Sequence, residues 1–328
     1  MSDASGVNSK QVERFPVIIG ATASGKSALA VEVARRLMDQ TGRPGEVITA
    51  DSIQIYRGLD IGSAKPTRDE RADVAHHLID IVEPTERFSV DAWLQRAEGA
   101  VADVRARGGV PIIAGGTHLY IMAFLEGLFD GPEPDPGLRA ELTAMDPAQR
   151  RRELERVDPL AAGRIHANDV RRTVRALEVY RQTGTALSEH QRQWDRGRGR
   201  RDCAVFGVEW PVEALNRRIN ARVKQMIGRG LVTEARALYD AGRLGPQASE
   251  ALGYKQLIDY FERRRTLGEV IEEIKIQTRR FAKNQRTWMR RLRASLDSSG
   301  AAESEWFDAE KIGVSEMADR VVSVCRGR

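Results

Sequence analysis

The stretch FPVIIGATASGKSALAVEVARRL, residues 15–37, decides the fold. FPVIIG reads as a buried strand, and the apolar periodicity of SALAVEVARRLMDQ reads as the helix that follows. Between them Gly20, Gly25, Lys26 and Ser27 satisfy G-x-x-x-x-G-K-[ST]. The spacing has a mechanical cause. The loop must turn sharply so that successive backbone N–H groups converge on phosphate oxygens, Lys26 adds a point charge, and the Ser27 hydroxyl can ligate Mg²⁺. A strand before the loop and a helix N-terminus after it complete an anion site. The motif predicts a phosphate-binding α/β fold but not the reaction, because such loops serve many chemistries.

Working outward, GEVITADS and HHLIDIV read as a second and third strand. SVDAWLQRAEGAVADVRARG reads as a helix with Ser89 as N-cap and Gly108 closing it, GVPIIAGGT as a strand and HLYIMAFLEGL as a helix. Strands alternating with helices predict a parallel sheet flanked by helices on both faces. FDGPEPDPGL, residues 129–138, marks a boundary, and residues 138–190 carry helical periodicity without a strand. HQRQWDRGRGRRD, residues 190–202, is basic and glycine-interrupted, as in a mobile loop, and CAVFGVEW returns to the sheet. The expected organisation is a P-loop core over residues 1–130, a helical insertion domain over 131–201, and the second part of the core over 202–328. That last part is mostly helical. Its longest helix starts at a capping box, Thr266 with Glu269, and runs to about Leu292; a short EWF and a last helix from Ser315 finish the chain.

The 328 residues are 41% hydrophobic and 30% charged, the balance of a folded protein rather than a disordered one. Cys203 and Cys325 are the two cysteines and build neither a disulfide framework nor a thiolate zinc site, which fits a cytoplasmic setting. The polar MSDASGVNSKQVER is not read as a signal peptide, and no apolar run approaches the roughly 18 residues that span a membrane. The five histidines show no metal spacing.

ADSIQIYRGLDIGSAKPT leaves the carboxyl end of the second strand, the edge where open parallel sheets bind ligands. Asp51 is therefore a candidate general base; capping a turn, or holding Mg²⁺ through water, are the other readings of the same residue. Gln54 offers an amide to the same crevice, while a lone loop lysine such as Lys65 reads as solvated. In AGGTHLY, Gly115 and Gly116 let backbone approach a ligand, and Thr117 offers a hydroxyl or a helix N-cap. Trp93 and Trp288 read as core.

Charge is clustered. Lys275, Arg279, Arg280, Lys283, Arg286, Arg290, Arg291 and Arg293 stand in a segment without Asp or Glu. On a helix, Lys275, Arg279, Lys283, Arg286, Arg290 and Arg293 fall within about 80° of one another, with Ile274, Phe281, Trp288 and Leu292 on a different face that packs down. The insertion adds Arg171, Arg172, Arg175, Arg192, Arg196, Arg198, Arg200 and Arg201. An acid-free stripe of this length suits a polynucleotide backbone better than a lone diphosphate. Arg218 and Arg222, one helical turn apart, are placed to share an anion.

These motifs together resemble the bacterial tRNA dimethylallyltransferases. The resemblance is carried by GATASGKS, DSIQIYRGLDIGSAKP, HHLIDIVEP, AGGTHLYIMAFLEGL, RIHANDVRRTVRALEVY, ALGYKQL and TRRFAKNQRTWMRR, in the family's order over roughly residues 16–293. It implies transfer of a dimethylallyl group from dimethylallyl diphosphate to the exocyclic amine of an adenosine next to the anticodon of tRNA, with Mg²⁺. The loop from Gly20 through Ala21, Thr22, Ala23, Ser24, Gly25, Lys26 and Ser27 then cradles the leaving diphosphate, and no nucleotide is required there. By the same resemblance Asp51 is the base, Thr117 lies near the reacting centre, and Arg218 binds diphosphate, with Arg222 as its rival. Segments matching tRNA contacts are Asp51, Ser52, Ile53 and Gln54; Arg139; Arg171, Arg172, Thr173, Val174 and Arg175; Glu250, Ala251, Leu252, Gly253, Tyr254 and Lys255; and Lys283, Asn284, Gln285, Arg286, Thr287, Trp288, Met289 and Arg290. Ala21 stands where the family usually has Pro, Asn284 where Arg or Lys is frequent, and nothing like a zinc finger follows residue 293. The expected partners are tRNA and dimethylallyl diphosphate, without a membrane, for a monomer. A small-metabolite kinase would share the cradle but use ATP and need no basic helix. An NTP-dependent RNA-binding module is the alternative from another class.

Overall fold

The computed structural model describes residues 14–128, 131–191, 200–300 and 302–326. Strands and helices alternate first: β1 (Phe15–Gly20), α1 (Lys26–Thr41), β2 (Gly45–Ala50), the short α2 (Arg68–Arg71), β3 (His76–His77), α3 (Val90–Ala106), β4 (Val110–Gly115) and α4 (His118–Glu126). Helices α5 (Pro136–Ala144), α6 (Pro147–Val157), α7 (Pro159–Arg164), α8 (Val170–Thr183) and α9 (Leu187–Gln191) follow. Then come β5 (Cys203–Glu209), α10 (Val212–Gly228), α11 (Leu231–Asp240), α12 (Tyr254–Phe261), α13 (Leu267–Ser299), β6 (Glu303–Asp308) and α14 (Val314–Cys325).

All six strands among the described residues form one parallel sheet, in the order β3-β2-β4-β1-β5-β6. β1, β2 and β4 are buried along their whole length; β1 and β4 accordingly read as continuous apolar runs rather than alternating ones, while β2 also buries Glu46 and Thr49. From β1 the chain crosses to β2 on one side; after β4 it returns on the other side as β5. The switch point of the sheet therefore lies between β1 and β4, where ligands bind in open sheets. The core beneath it includes Trp93, fully buried, stacked on Tyr120 at 4.5 Å and donating its indole N–H to the Thr49 carbonyl at 3.0 Å.

Several sequence expectations are corrected. HHLIDIV pairs as a strand over His76–His77 alone, because Leu78 and Asp80 take left-handed φ of 62° and 56° and turn the chain out of the ladder. α3 has the Ser89 cap, which accepts the Ala92 N–H, but its C-cap is Arg107, with Gly108 left-handed just beyond. α13 has the expected capping box but continues past Leu292 to Ser299, capped by Gly300, and EWF belongs to the outermost strand. Lys65 is not solvated: it is 7% exposed, and its ammonium donates to Tyr56 O at 2.9 Å and contacts Asp60 and Asp80, each at 2.5 Å.

The chain divides into two compact units, Met1–Leu125 with Arg200–Arg328, and Glu126–Gly199. The second unit carries α5 to α9. Its core is built on Leu142, Leu154, Ala162, Leu177 and Val179. Buried Arg150 caps the end of α5 by donating to the carbonyls of Leu142, Thr143 and Met145. Glu178, with no exposed surface, accepts from Arg139, Arg175 and the Asp135 N–H. Burial pushes its carboxyl up, but these hydrogen bonds outweigh burial and hold it below the usual carboxylate range.

Candidate active site

The loop after β1 folds as its glycines require. Gly25 sits at φ 94° and starts α1, and a Cβ at Gly20 would come within 2.3 Å of Ser24 Oγ. The loop is held from several sides. The Trp210 indole donates to Ser24 O at 2.8 Å, and Arg218 Nε donates to Ala23 O at 2.8 Å while stacking over Trp210 at 4.3 Å. Gln285 of α13 accepts the Thr22 N–H at 2.8 Å. Ala21 and Ala23 pack with Leu215, Ile219 and Ala282, so the small residue at 21 fills a space between α10 and α13. Ser24 Oγ is buried without a partner among the described residues, an orphan acceptor-donor of the kind a bound anion would satisfy.

Beside the loop is a pocket lined by Lys26, Ser27, Val47, Thr49, Asp51, Gln54, Pro66, His76, Ala114 and Gly115. It thus joins the carboxyl ends of β2 and β4 to the loop after β1. Burial pushes the Lys26 ammonium down to about 8, Asp51 raises it and Arg222 lowers it further. Burial also lowers Arg222, against the pull of Asp51 and Glu70. Arg222 makes no ion pair among the described residues, whereas Arg218 is already committed to the loop carbonyl. The two arginines thus take different roles: Arg218 braces the cradle and Arg222 leaves a cation facing the same charges.

Asp51 does cap a turn. Its Oδ1 accepts the N–H of Ile53 at 2.9 Å and of Gln54 at 3.3 Å; Oδ2 has no partner among the described residues. Gln54 is buried, its amide donating to Ser63 O and Ala64 O. Thr117 leads into α4 with its carbonyl, which accepts the Tyr120 and Ile121 N–H groups, while its Oγ1 accepts the Ser52 N–H at 3.0 Å and ties the loop after β4 to the loop after β2. Gly115 and Gly116 are small for neighbours within the protein. A Cβ at Gly115 would meet Ala50 O at 2.1 Å, and one at Gly116 would meet Gln285 Nε2 at 2.6 Å.

The donor set suits Mg²⁺. Ser27 and Asp51 supply hard oxygen donors to one pocket, and among the described residues no group of three or more His, Cys, Asp or Glu could hold a metal alone. Mg²⁺ uses few protein ligands and fills its shell with water and phosphate oxygens.

A model of the IPP transferase family matches residues 54–292, and one of the isopentenyl transferase family matches residues 14–83. The chain belongs to the IPP transferase family. A tRNA dimethylallyltransferase of Geobacillus kaustophilus is 42% identical over 322 residues, 96% of each chain. The structure of a full-length tRNA isopentenylpyrophosphate transferase from Bacillus halodurans matches with a TM-score of 0.66 and 34% identity, over 96% of this chain and 97% of that one. A eukaryotic dimethylallyltransferase acting on tRNA matches with a TM-score of 0.76 and 26% identity, over 96% of this chain and 79% of that one. The resemblance read from the motifs, and the fold it implied, are borne out.

The segments expected to meet tRNA divide by burial. The side chains of Thr173, Val174, Ala251, Tyr254, Gln285 and Met289 are buried and offer a partner no surface. Tyr254 instead donates to Glu234 at 2.5 Å, while the Glu234 carboxylate accepts the N–H groups of Asp60, Ile61 and Gly62. Gly253 is buried and Leu252 half-buried, with Glu250 and Lys255 paired at 2.5 Å outside. Arg139 and Arg175 are spent on Glu178, and Arg200 on Glu98 and Asp202, which leaves Arg171, Arg172 and Arg201 exposed. Arg192, Arg196 and Arg198, and most of the expected mobile loop, lie outside the described residues. On α13 the buried seam is Val270, Ile274, Ala282, Gln285, Met289, Leu292 and Leu296. Phe281, expected to pack, is 43% exposed, and Trp288 is half-buried against His118 at 5.0 Å. The ends of the basic stripe are paired, Lys275 with Glu272 and Arg293 with Glu209, and Arg279 donates to Asn220. Lys283 is exposed and Arg286 half-buried, and neither has an acidic partner among the described residues; Arg290 and the neighbouring Asn284 are exposed and Thr287 is half-buried.

Sequence reasoning missed the bracing roles of Trp210 and Gln285. Trp210 had a readable signal, an aromatic donor immediately after a strand that ends beside the phosphate loop.

Proposed function

We propose that the chain transfers a dimethylallyl group from dimethylallyl diphosphate to the exocyclic amine of an adenosine next to the anticodon of tRNA, releasing diphosphate, as a cytoplasmic monomer. The observation that carries this reading is one pocket shared by a phosphate-loop lysine, Lys26, and an unspent carboxylate oxygen on Asp51. A phosphate cradle facing a base suits displacement of a diphosphate by a nucleophile that must lose a proton.

Adenine's exocyclic amine is a poor nucleophile, because its lone pair is delocalised into the ring. Asp51 accepts the amine proton as the new C–N bond forms. The allylic C–O bond breaks, and its electron pair leaves on the diphosphate. Lys26, Arg222 and the loop N–H groups stabilise that developing charge, with Arg218 holding the loop in shape. Mg²⁺ bound at Ser27 would add further charge neutralisation on the diphosphate oxygens. A stacked base cannot enter such a pocket, so the adenosine is flipped out of its loop. The cations of α13 without acidic partners among the described residues, centred on Lys283, Arg286 and Arg290, receive the tRNA backbone.

The test is incubation with labelled dimethylallyl diphosphate, Mg²⁺ and unmodified tRNA, with and without ATP. Label is expected in tRNA without ATP. Failure to label tRNA, with ATP consumed in its place, overturns the reading in favour of a kinase.

A further inference from the structure

Gln285 lies in the middle of a helix lined with cations, yet its side chain points away from them and is 6% exposed. Its amide uses both ends. Oε1 accepts the Thr22 N–H at 2.8 Å, and Nε2 donates to Gly116 O at 2.8 Å. Thr22 belongs to the loop after β1, and Gly116 to the loop after β4. The missing side chain at Gly116 is what admits the amide, since a Cβ there would stand 2.6 Å from Nε2 and 2.8 Å from Gly20 O. Gly116 leads into Thr117, which accepts the Ser52 N–H beside Asp51. One side chain therefore joins α13, the phosphate loop and the loop after β4, which Thr117 in turn ties to the loop that carries Asp51.

From this geometry we infer that Gln285 is a positioning residue: it sets the distance between the diphosphate cradle and the acceptor side of the pocket. This rests on the transfer reading above. Only a primary amide of this length meets both demands. Glutamate keeps the acceptor for Thr22 but sets a carboxylate against the Gly116 carbonyl. Methionine keeps the volume and makes neither bond. Because the two reacting groups sit on different loops, loosening the bridge misplaces them relative to each other while each loop keeps its own hydrogen bonds. A misplacement of about 1 Å costs on the order of 10²-fold in rate.

The test compares wild type, Gln285→Met and Gln285→Glu in single-turnover transfer with both substrates saturating. Separate titrations measure dimethylallyl diphosphate and tRNA affinity, and thermal unfolding reports the folded fraction. Gln285→Met is expected to lose roughly 10- to 100-fold in the single-turnover rate, with each separate affinity within about threefold of wild type and the variant fully folded at the assay temperature. Gln285→Glu is expected to lose rate similarly and to bind the diphosphate more weakly, because it adds an anion beside the loop. Three results overturn the inference: an unchanged rate in Gln285→Met, a rate that falls only with the folded fraction, or a defect confined to tRNA affinity. The wild-type arm tests the transfer reading separately: no transfer by wild type overturns that reading and this inference with it, whereas transfer by wild type with an unchanged Gln285→Met rate overturns this inference alone.

Discussion

At the residue scale the pocket rests on two groups of opposite charge with different tasks. Asp51 spends Oδ1 on the N–H groups of Ile53 and Gln54, and Oδ2, without a partner among the described residues, is the oxygen the proposed reading uses as base. Asp51→Asn retains an acceptor for the turn but not a base. It is expected to lower the single-turnover rate by about 10²–10⁴-fold while tRNA affinity, measured by filter binding, stays near wild type; a near-normal rate would remove Asp51 from the base role. Lys26 makes a pH prediction. Its ammonium is pushed down to about 8, mainly by burial. A depressed lysine costs folding stability where both states are charged, so stability rises with pH from about 8 towards the unfolded value of about 10.4. On the proposed reading ligand affinity runs the opposite way, because a diphosphate held by Lys26 needs the charged form and its own terminal ionisation, near pH 6, is already complete. The Kd for dimethylallyl diphosphate is expected to be flat below about pH 7.5 and to rise by up to about tenfold per unit above 8. Lys26→Arg should flatten that rise in a calorimetric titration over the same range.

At the element scale the long helix α13 shows what charge patterning reads and what it misses. The periodicity of Lys275 to Arg293 named the charged side correctly, but pairing thins it: Glu272 and Glu209 come from one turn away and from a strand end. Exposed, unpaired cations carry counterion release, and paired ones contribute less. Removing Lys283 and Arg286 together is expected to reduce the log–log salt slope of tRNA binding by about 0.7–0.9 for each phosphate no longer neutralised, with dimethylallyl diphosphate affinity unchanged. Lys275→Ala serves as the paired control and should move the slope much less. An unchanged slope in the double variant would place the stripe away from nucleic acid. Within the same helix Phe281 is exposed and Ala282 buried. The seam is chosen by what the phosphate loop can fit, and a small side chain there lets Ala21 and Ala23 approach.

At the scale of the whole molecule, the sheet places the site and its edges protect it. β6 closes one edge, with Phe307 fully buried and stacked on Phe206 at 6.0 Å, and α14 packs its Met317, Ala318, Val321 and Val322 into the same core. Gly207 is small because the Trp306 ring lies over it; a Cβ there would sit 2.0 Å from the ring. Phe307→Ala is expected to cost about 3–5 kcal/mol of stability, read as a lower thermal midpoint, without altering dimethylallyl diphosphate affinity below that midpoint. Loss of affinity in the folded variant would mean that this edge does more than support the sheet.

The elements that local pattern specifies were legible in the sequence. Continuous apolar runs mark β1, β4 and β5, capping residues mark the starts of α3 and α13, and the glycine spacing marks the phosphate loop, because each is a short-range backbone requirement. The family and the placing of Asp51 beside Lys26 followed from motifs lying at strand ends. Tertiary structure decided the rest. Gln285 and Tyr254 sit in segments that look like surface contacts and turn inward, and Lys65 is a buried tether rather than a solvated lysine. Arg139 and Arg175 neutralise a buried carboxylate, and the glycines at 115 and 116 make room for Ala50 and Gln285. In each case the deciding partner lies far along the chain. Local sequence specifies which groups a residue carries, but only the packed fold determines which of them water, a ligand or another side chain will satisfy.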